Sequence, residues 1–377
     1  MTVRAEATYP HVMRFAWVLV AALTGCRFYL PAETLEDAAT GSIDAGIDTP
    51  AGSICFGVGL VKPCFPTAPT GIVTLPSSLD TSTSPLCSTT ATAADGFCVI
   101  AGETIRVETA VGVIGAKPLV LVATMEIEIS ATLDAASHRG NTAPNYTTTQ
   151  IGAGSDPAGG CNAGTAPGIS SGGAGGTLGA FGGNGGDGAG GGPTDGGVAG
   201  GLQAITDLRG GCRGQNGVTG TPGQGGRGGG AVYLIANTAI NISGLINASG
   251  EGGHPGITGV AGAGGGGSGG MIGLDAPTIA NTGIVFANGA SGGEGSGLST
   301  SGVPGPEPNS VAASPAPLSG TSSGGDGGTG SGGGTATGGN GSNAGNNGGG
   351  GGGGGGVGVI KVYRGTLTGQ HSPPPTP

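Results

Sequence analysis

The sequence predicts an all-β fold, a parallel β-helix or β-solenoid of about five coils with glycine-rich insertions at one corner. Three observations predict it. Apolar and polar residues alternate through several stretches, which is the periodicity of strands that bury one face. These stretches recur in the same phase, and glycine-rich blocks separate them. A repeat unit as short as one of these stretches cannot bury a core by itself, so we expect successive units to stack.

Two stretches carry the strongest repeat. In residues 119–137 every odd position up to Ala135 is apolar, and residues 232–250 repeat the alternation in the same phase without a gap. The alternative fold is a β-sandwich, which would need hairpin turns at a spacing of about 8 to 12 residues. The copies recur at longer intervals, so the sequence favours parallel stacking.

Weaker or incomplete copies extend the series. One precedes the first strong copy directly, so that Val99 matches Leu121. Another, at residues 269–289, lacks one residue near Pro277. The last apolar run, residues 357–363, matches only the opening strand of a unit. These copies set the predicted number of coils.

The first 53 residues predict export and anchoring. Residues 1–25 read as a lipoprotein signal peptide, because the apolar run 15–23 follows an arginine and is too short to span a bilayer. It ends in Leu-Thr-Gly-Cys, which resembles the lipobox of bacterial lipoproteins and implies acylation of Cys26. An ordinary signal peptide is the alternative. Residues 26–53 are acidic and lack an apolar period, so we predict a flexible tether.

The cysteines predict disulfides. Once Cys26 is set aside, an even number remains, which in an exported chain favours disulfides over free thiols. Spacing favours one bond within each of the first two pairs, although the sequence leaves three pairings open among those four residues. A bond between the last two would close a loop within the first glycine-rich block. The candidates are Cys55, Cys64, Cys87, Cys98, Cys161 and Cys212.

The remaining boundaries follow from composition. Residues 54–98 are predicted to form a cysteine-bearing N-terminal cap, with 71–75 as a strand that covers the open end of the core. The solenoid is expected over 99–367. Residues 368–377 are rich in proline and are predicted to be a disordered tail.

Glycine dominates three blocks between the repeat copies. Each block starts after the same end of a repeat unit, so all three should leave the fold at one corner. Glycine buries no side chain and loses the most backbone entropy on ordering. The blocks are therefore either loosely ordered loops, which we expect, or extended polyproline-II-like strands that hydrogen-bond laterally. Their bounds are 140–227, 251–268 and 290–356.

Few residues suggest catalysis. The outward positions of the first copy and the corner after it carry charged side chains: Glu126, Glu128, Asp134, His138 and Arg139. The matching positions of the second copy carry no carboxylate: Ala239, Asn241 and Asn247. Adjacent units therefore present no row of carboxylates of the kind that a glycosidase needs. We predict that the protein is not an enzyme.

Cofactors, metals and nucleic acid are not predicted. Residues 182–190, GGNGGDGAG, fit a calcium-binding nonapeptide pattern with Asp187, but only once, and those sites need tandem copies. The histidines are scattered and no pair of cysteines has C-x-x-C spacing, which argues against a metal site. A net charge of −10 and 3% aromatic residues oppose nucleic-acid binding.

Several segments together resemble a known type of protein. They are CFGVGLVKPCF, PLVLVATMEIEISATLDAASHRG, LRGGC and GGGGGGVGVIKV, in that order after the lipobox and acidic tether. This chain resembles the glycine-rich hypothetical lipoproteins encoded in multiple copies by myxobacterial-type genomes, over most of its length after Cys26. The resemblance implies location and fold and no activity. The glycine blocks are also similar in composition to those of surface adhesins and phage-tail adhesins.

These observations predict a lipid-anchored, glycine-rich protein of the outer membrane or cell surface with a structural or adhesive, non-catalytic role. Its expected partners are the membrane, through the lipid, and surface glycans, matrix or other cells. The alternative is a carbohydrate-active enzyme on a parallel β-helix. A groove with two carboxylates within about 10 Å on adjacent coils would favour the enzyme.

Overall fold

The computed structural model describes residues 52–88, 90–92, 95–140, 147–190, 195–317, 320 and 323–377, all within the compact unit Asp48–Pro377. The predicted signal peptide, Cys26 and nearly all of the tether lie outside these residues. The described regular elements are eighteen strands and no helix. The strands are β1 (Ile54–Cys55), β2 (Cys64–Phe65), β3 (Ile72–Thr74), β4 (Ser78–Asp80), β5 (Cys98–Val107), β6 (Val111–Ile114), β7 (Leu119–Ile129), β8 (Thr132–Asp134), β9 (His138–Arg139), β10 (Thr148–Gln150), β11 (Ala231–Ala236), β12 (Ala239–Ile242), β13 (Leu245–Asn247), β14 (Met271–Asp275), β15 (Thr278–Asn281), β16 (Ile284–Phe286), β17 (Val359–Arg364) and β18 (Gln370–Ser372).

Two parallel sheets hold most of the strands. The eight-stranded sheet contains β3, β5, β7, β11, β12, β14, β15 and β17. The six-stranded sheet has the order β4-β6-β8-β13-β16-β18. Two small antiparallel pairs, β1 with β2 and β9 with β10, accompany them. The predicted all-β class and parallel pairing are confirmed.

Copies of the repeat pair side by side. Val232 pairs with Leu119, and Ile240 pairs with Ile127, so the two strong copies are in register throughout. The third copy pairs with the second in the same way, Leu274 with Leu234 in β14 and Ile279 with Ile240 in β15. The paired residues of the second and third copies differ by 40 in residue number in β14 and by 39 in β15. The residue missing near Pro277 is therefore confirmed, because it lies between β14 and β15.

The prediction of a β-solenoid of about five coils is wrong. The strands lie in several separate parallel sheets, and among the described residues no closed or coiled sheet is formed. A solenoid requires each coil to carry side chains around a shared core. Here the chain after β8, β13 and β16 runs instead through glycine-rich blocks before it returns into β11, β14 and β17, and the glycines of these blocks contribute no side chains to such a core.

The main core lies between the two large sheets. Leu121 and Leu234 of the eight-stranded sheet and Leu133 and Ile246 of the six-stranded sheet are fully buried in one cluster. A second cluster covers the opposite face of the eight-stranded sheet, where Phe56 and neighbouring residues pack on β7 and β11. The opening strands are therefore buried on both faces, although the alternation predicted only one buried face.

The weak copy departs from the predicted phase. Ile105 pairs with Ile127, as the repeat predicts. Val99, however, pairs with Val120 and not with Leu121, because the register shifts between Gly102 and Thr104. A shift of one residue moves every side chain before it to the other face. Cys98 and Ile100, and not Val99, therefore join the main core.

The disulfides join Cys55 to Cys64 and Cys87 to Cys98, which are the two pairs that the spacing favours, and Cys161 to Cys212, the bond considered within the first glycine-rich block. The region from 54 to 98 also contains β3 within residues 71–75, and this strand pairs only with β5 among the described strands. Three disulfides indicate an oxidising compartment.

The expected disordered tail is also wrong. Residues 370–372 form β18, which extends the six-stranded sheet, and Thr376 donates its N–H to the carbonyl of Ile360 at 2.8 Å. Edge strands leave backbone groups unpaired. The tail satisfies some of these groups, so it is part of the fold.

The glycine blocks are packed, which corrects the expectation of loose loops. Residues 348–358 form an extended central segment whose amide groups bond to different neighbours in turn: Gly352, Gly353 and Gly354 donate to the carbonyls of Gly293, Gly173 and Gly339 at 2.8–2.9 Å. The preceding three residues donate to the same three segments in the same order. A three-residue period is that of a polyproline II helix.

The central segment 348–358 has six neighbours. The three segments just described accept its hydrogen bonds, and three more approach it so closely that a Cβ would collide with them. A Cβ on Gly352, Gly353 or Gly354 would lie 1.8–2.1 Å from the carbonyl oxygen of Gly264, Gly183 or Thr329. Backbones can approach this closely only where there is no side chain. Laterally bonded segments therefore form a solid assembly, here called the glycine layer.

Candidate functional site

The acidic side chains predicted to face outward on the first copy are paired with polar or basic side chains of neighbouring strands. The amide of Asn241 donates to Glu126 at 3.1 Å, and Glu128 forms an ion pair with Arg106 at 2.9 Å. Both pairs join neighbouring strands on the outer face of the eight-stranded sheet. These carboxylates act as cross-strand contacts.

His138 lies between two carboxylates. Its Nε2 is 3.0 Å from Asp134, and its Nδ1 is 2.8 Å from Glu307. Burial by itself would lower the pKa of His138, but the hydrogen bonds and charges of Asp134 and Glu307 outweigh it and raise the pKa to about 10. The imidazolium therefore ties the end of β8 to the third glycine block.

This cluster predicts a pH dependence of stability. Because the pKa of His138 rises from 6.5 to about 10 on folding, the stabilisation is complete below pH 6.5 and is lost as the pH approaches 10. We expect the wild type to melt at a higher temperature than His138→Gln at pH 6 and the difference to shrink towards pH 10. Thermal unfolding of both proteins between pH 6 and 10 measures it; a constant difference would contradict the assignment.

A second buried pair joins the first two blocks. Glu251 is fully buried and accepts hydrogen bonds from Thr148 at 2.9 Å and from the N–H of Arg227 at 2.9 Å, and it contacts His254 at 3.0 Å. Burial raises the pKa of Glu251, but the bonds from His254 and Arg227 outweigh it, and the pKa is lowered overall. The carboxylate therefore stays charged, and its oxygens are engaged in hydrogen bonds within the fold.

A third cluster lies on the other face of the eight-stranded sheet. The buried carboxylate of Asp275 contacts the guanidinium of Arg364, and it accepts bonds from Tyr233 at 3.2 Å and from the N–H of Val58 at 2.6 Å. Burial and the adjacent Asp275 raise the pKa of Tyr233, so its hydroxyl stays protonated. The cluster joins the N-terminal region to β14 and β17.

A groove of about 530 Å³ beside β10 is lined mainly by hydroxyl, amide and small apolar groups. Its one lining carboxylate is Asp80, whose pKa is lowered by bonds from the N–H of Ser82 and the hydroxyl of Thr83. Two carboxylates in one groove were the sign expected of a glycosidase. This groove, as lined by described residues, does not meet that criterion.

A regular polar surface lies on the glycine layer. Two rows of side chains cross three neighbouring segments there. In one row Asn340 accepts the N–H of Asn184 at 2.9 Å, and Asn184 accepts that of Ala199 at 3.0 Å. In the other row Asn343 accepts the N–H of Asp187 at 2.9 Å, and Asp187 accepts that of Gly196 at 2.8 Å. A groove of about 250 Å³ runs along these four side chains, here called the amide groove.

The calcium pattern at 182–190 belongs to this surface. Its Asp187 caps a backbone N–H, and no group of three His, Cys, Asp or Glu in the described part of the chain could hold a metal ion. Glu307, Asn340 and Asn343 were not predicted as site residues, because they lie in blocks that were expected to be loose. The triplets GGN-GGD and GGN-GSN carried the signal, since every third residue is an amide or an acid.

Fold and sites together define a disulfide-bonded, all-β protein with a packed glycine layer and an amide-lined surface. Comparisons of the chain with protein-family models, with curated proteins and with solved structures find no match. Within the described ranges, no helix has the length and hydrophobicity needed to cross a membrane.

Proposed function

We propose that this protein is an exported, lipid-anchored surface protein with a structural or adhesive, non-catalytic role. The observation that supports the proposal most is the glycine layer, in which neighbouring backbones hold one another through regularly repeated hydrogen bonds. A surface built this way is rigid without a side-chain core of its own. It presents polar groups at fixed spacing, which suits repeated contact with a partner.

The pairing of the acidic groups supports a non-catalytic role. Asp134 and Glu307 are joined through His138, Glu251 bonds to His254, and Asp275 bonds to Arg364. A general acid or base must be available to a substrate. These carboxylates are engaged in joining segments of the fold instead.

Binding and turnover experiments test the proposal. The full chain, purified in detergent and coupled to beads, is expected to bind at least one member of a panel of bacterial cells, matrix proteins and glycans. The same beads after heat denaturation should lose that binding, because the glycine layer depends on the fold. Incubation with the polysaccharides of the panel should release no reducing ends. Release of products by the folded chain would support the enzyme instead.

The lipid anchor is tested separately at Cys26, which lies outside the described residues. If the lipobox is processed, a palmitate analogue should label the wild-type chain in the cells that produce it, and Cys26→Ala should lose the label. The variant should also leave the membrane fraction. Equal labelling of both chains would contradict acylation at this residue.

A further inference from the structure

We propose that the amide groove binds an extended, neutral, β-linked polysaccharide. This inference rests on the proposed adhesive role and names the ligand class for one surface. The groove is lined by Asn184 and Asp187 from one glycine segment and by Asn340 and Asn343 from the next. Val198 of a third segment completes the lining.

The first step of the argument is the orientation of the amides. The side-chain oxygens of Asn184, Asn340 and Asn343 each accept a backbone N–H at 2.9–3.0 Å. An oxygen fixed in this way also fixes the amide nitrogen, which is bonded to the same carbon and is directed away from that N–H. All three asparagines are exposed, and no described residue accepts a hydrogen bond from their nitrogens. The groove therefore offers three oriented donors to an outside acceptor.

The second step is the spacing. Asn340 and Asn343 are three residues apart on one segment, and Asn184 and Asp187 are three residues apart on its neighbour. Three residues of polyproline II helix span about 9 Å. This distance is close to the length of a disaccharide, so two successive repeats of an extended glycan meet equivalent groups.

The third step is the charge. The described residues that line the groove include no lysine, arginine or histidine, and Asp187 contributes a carboxylate. An anionic glycan would find no counter-charge there, whereas the hydroxyl and ring oxygens of a neutral sugar match the amide donors. Val198 is 43% exposed and offers an apolar contact to the C–H face of a sugar ring. A neutral chain therefore fits the lining best.

The experiment uses the full chain in detergent and cellohexaose as the probe, with calorimetry as the measurement. The informative changes are Asn184→Asp, Asn340→Asp and Asn343→Asp, since aspartate keeps the oxygen that caps the backbone and removes the N–H₂ donor. Asn216→Asp is the matched control, because its oxygen also caps a backbone N–H, that of Gly225, at 2.9 Å, and it lies outside the groove. Thermal unfolding checks that all variants stay folded.

We expect cellohexaose to bind the wild type and the control equally and the triple variant at least about tenfold more weakly, because three hydrogen bonds to the ligand are lost. Polygalacturonate, an anionic probe, should bind more weakly than cellohexaose. Absence of cellohexaose binding, or equal binding by the triple variant, would overturn the inference. If cells or matrix proteins still bind the folded chain in that case, the proposed adhesive role stands; if nothing binds, both fail.

Discussion

Replacing Gly352 with valine is expected to unfold the domain. Gly352 lies in the central segment 348–358, and a Cβ there would sit 2.0 Å from the carbonyl oxygen of Gly264, with two further backbone atoms of residues 264 and 265 within 3.0 Å. The obstructing atoms are backbone, so no side-chain rotation relieves the collision. Moving the segment would break bonds to several neighbours at once. We expect a loss of about 5 kcal/mol, comparable with the whole stability of a domain.

Chemical denaturation followed by circular dichroism measures this loss. Gly334→Val is the matched control, because nothing lies within 4 Å of a Cβ at that position. The control should change the free energy of unfolding by less than about 0.5 kcal/mol. If Gly352→Val unfolds at the same denaturant concentration as Gly334→Val, the glycine segments do not pack closely, and the layer described above does not exist in solution.

Placing a charge in the main core is expected to be equally damaging. Ile240 is fully buried, and its strand pairs with Ile127 on one side and with Ile279 on the other. In Ile240→Asp the carboxylate would lie among aliphatic side chains of both large sheets. An unpaired buried charge costs several kcal/mol, and loss of the isoleucine side chain adds to that cost. We expect a total of at least about 5 kcal/mol.

Asn237→Asp provides the comparison for this change. Asn237 lies three residues earlier in the turn between β11 and β12, and it is exposed. The added charge is the same, but it is buried in Ile240→Asp and exposed in Asn237→Asp, and only the first variant also loses an apolar side chain. Thermal unfolding should show little change for Asn237→Asp and no folded baseline for Ile240→Asp. Similar melting temperatures for the two would mean that the inward face of β12 has been assigned wrongly.

Side-chain periodicity was enough to predict the strands of the two strong repeat copies. The alternation in residues 119–137 and 232–250 reflects which positions meet the core, and the structure pairs these copies at the expected residues. The periodicity was less informative where the register shifts or where a strand changes its partner. Val99 faces away from the main core because of a register shift at Gly102, and Met125, expected to be buried, is 47% exposed at the point where β7 passes from β11 to β12.

The polar sites were predicted only in part. Asp134 and His138 were both named as candidate polar residues, but their contact was not predicted. Glu307 completes that cluster from 169 residues beyond His138, and nothing in the local pattern points to it. The same is true of the amide groove, where Asn340 bonds to the backbone of Asn184 across 156 residues. Contacts between distant segments depend on which glycine segment lies beside which.

The sequence by itself determined the all-β class and the parallel register of the two strong repeat copies, because alternation is a local property of the chain. Spacing favoured two of the disulfide pairs but left the pairing open. Only the tertiary structure decided that the glycine blocks are packed and that the sheets do not form a solenoid. The physical reason is that glycine carries no side chain to show a pattern. Glycine packs closely because it has no Cβ atom. In the central segment around Gly352, six neighbouring segments contact one backbone, and the need for glycine there is visible only once those neighbours are in place.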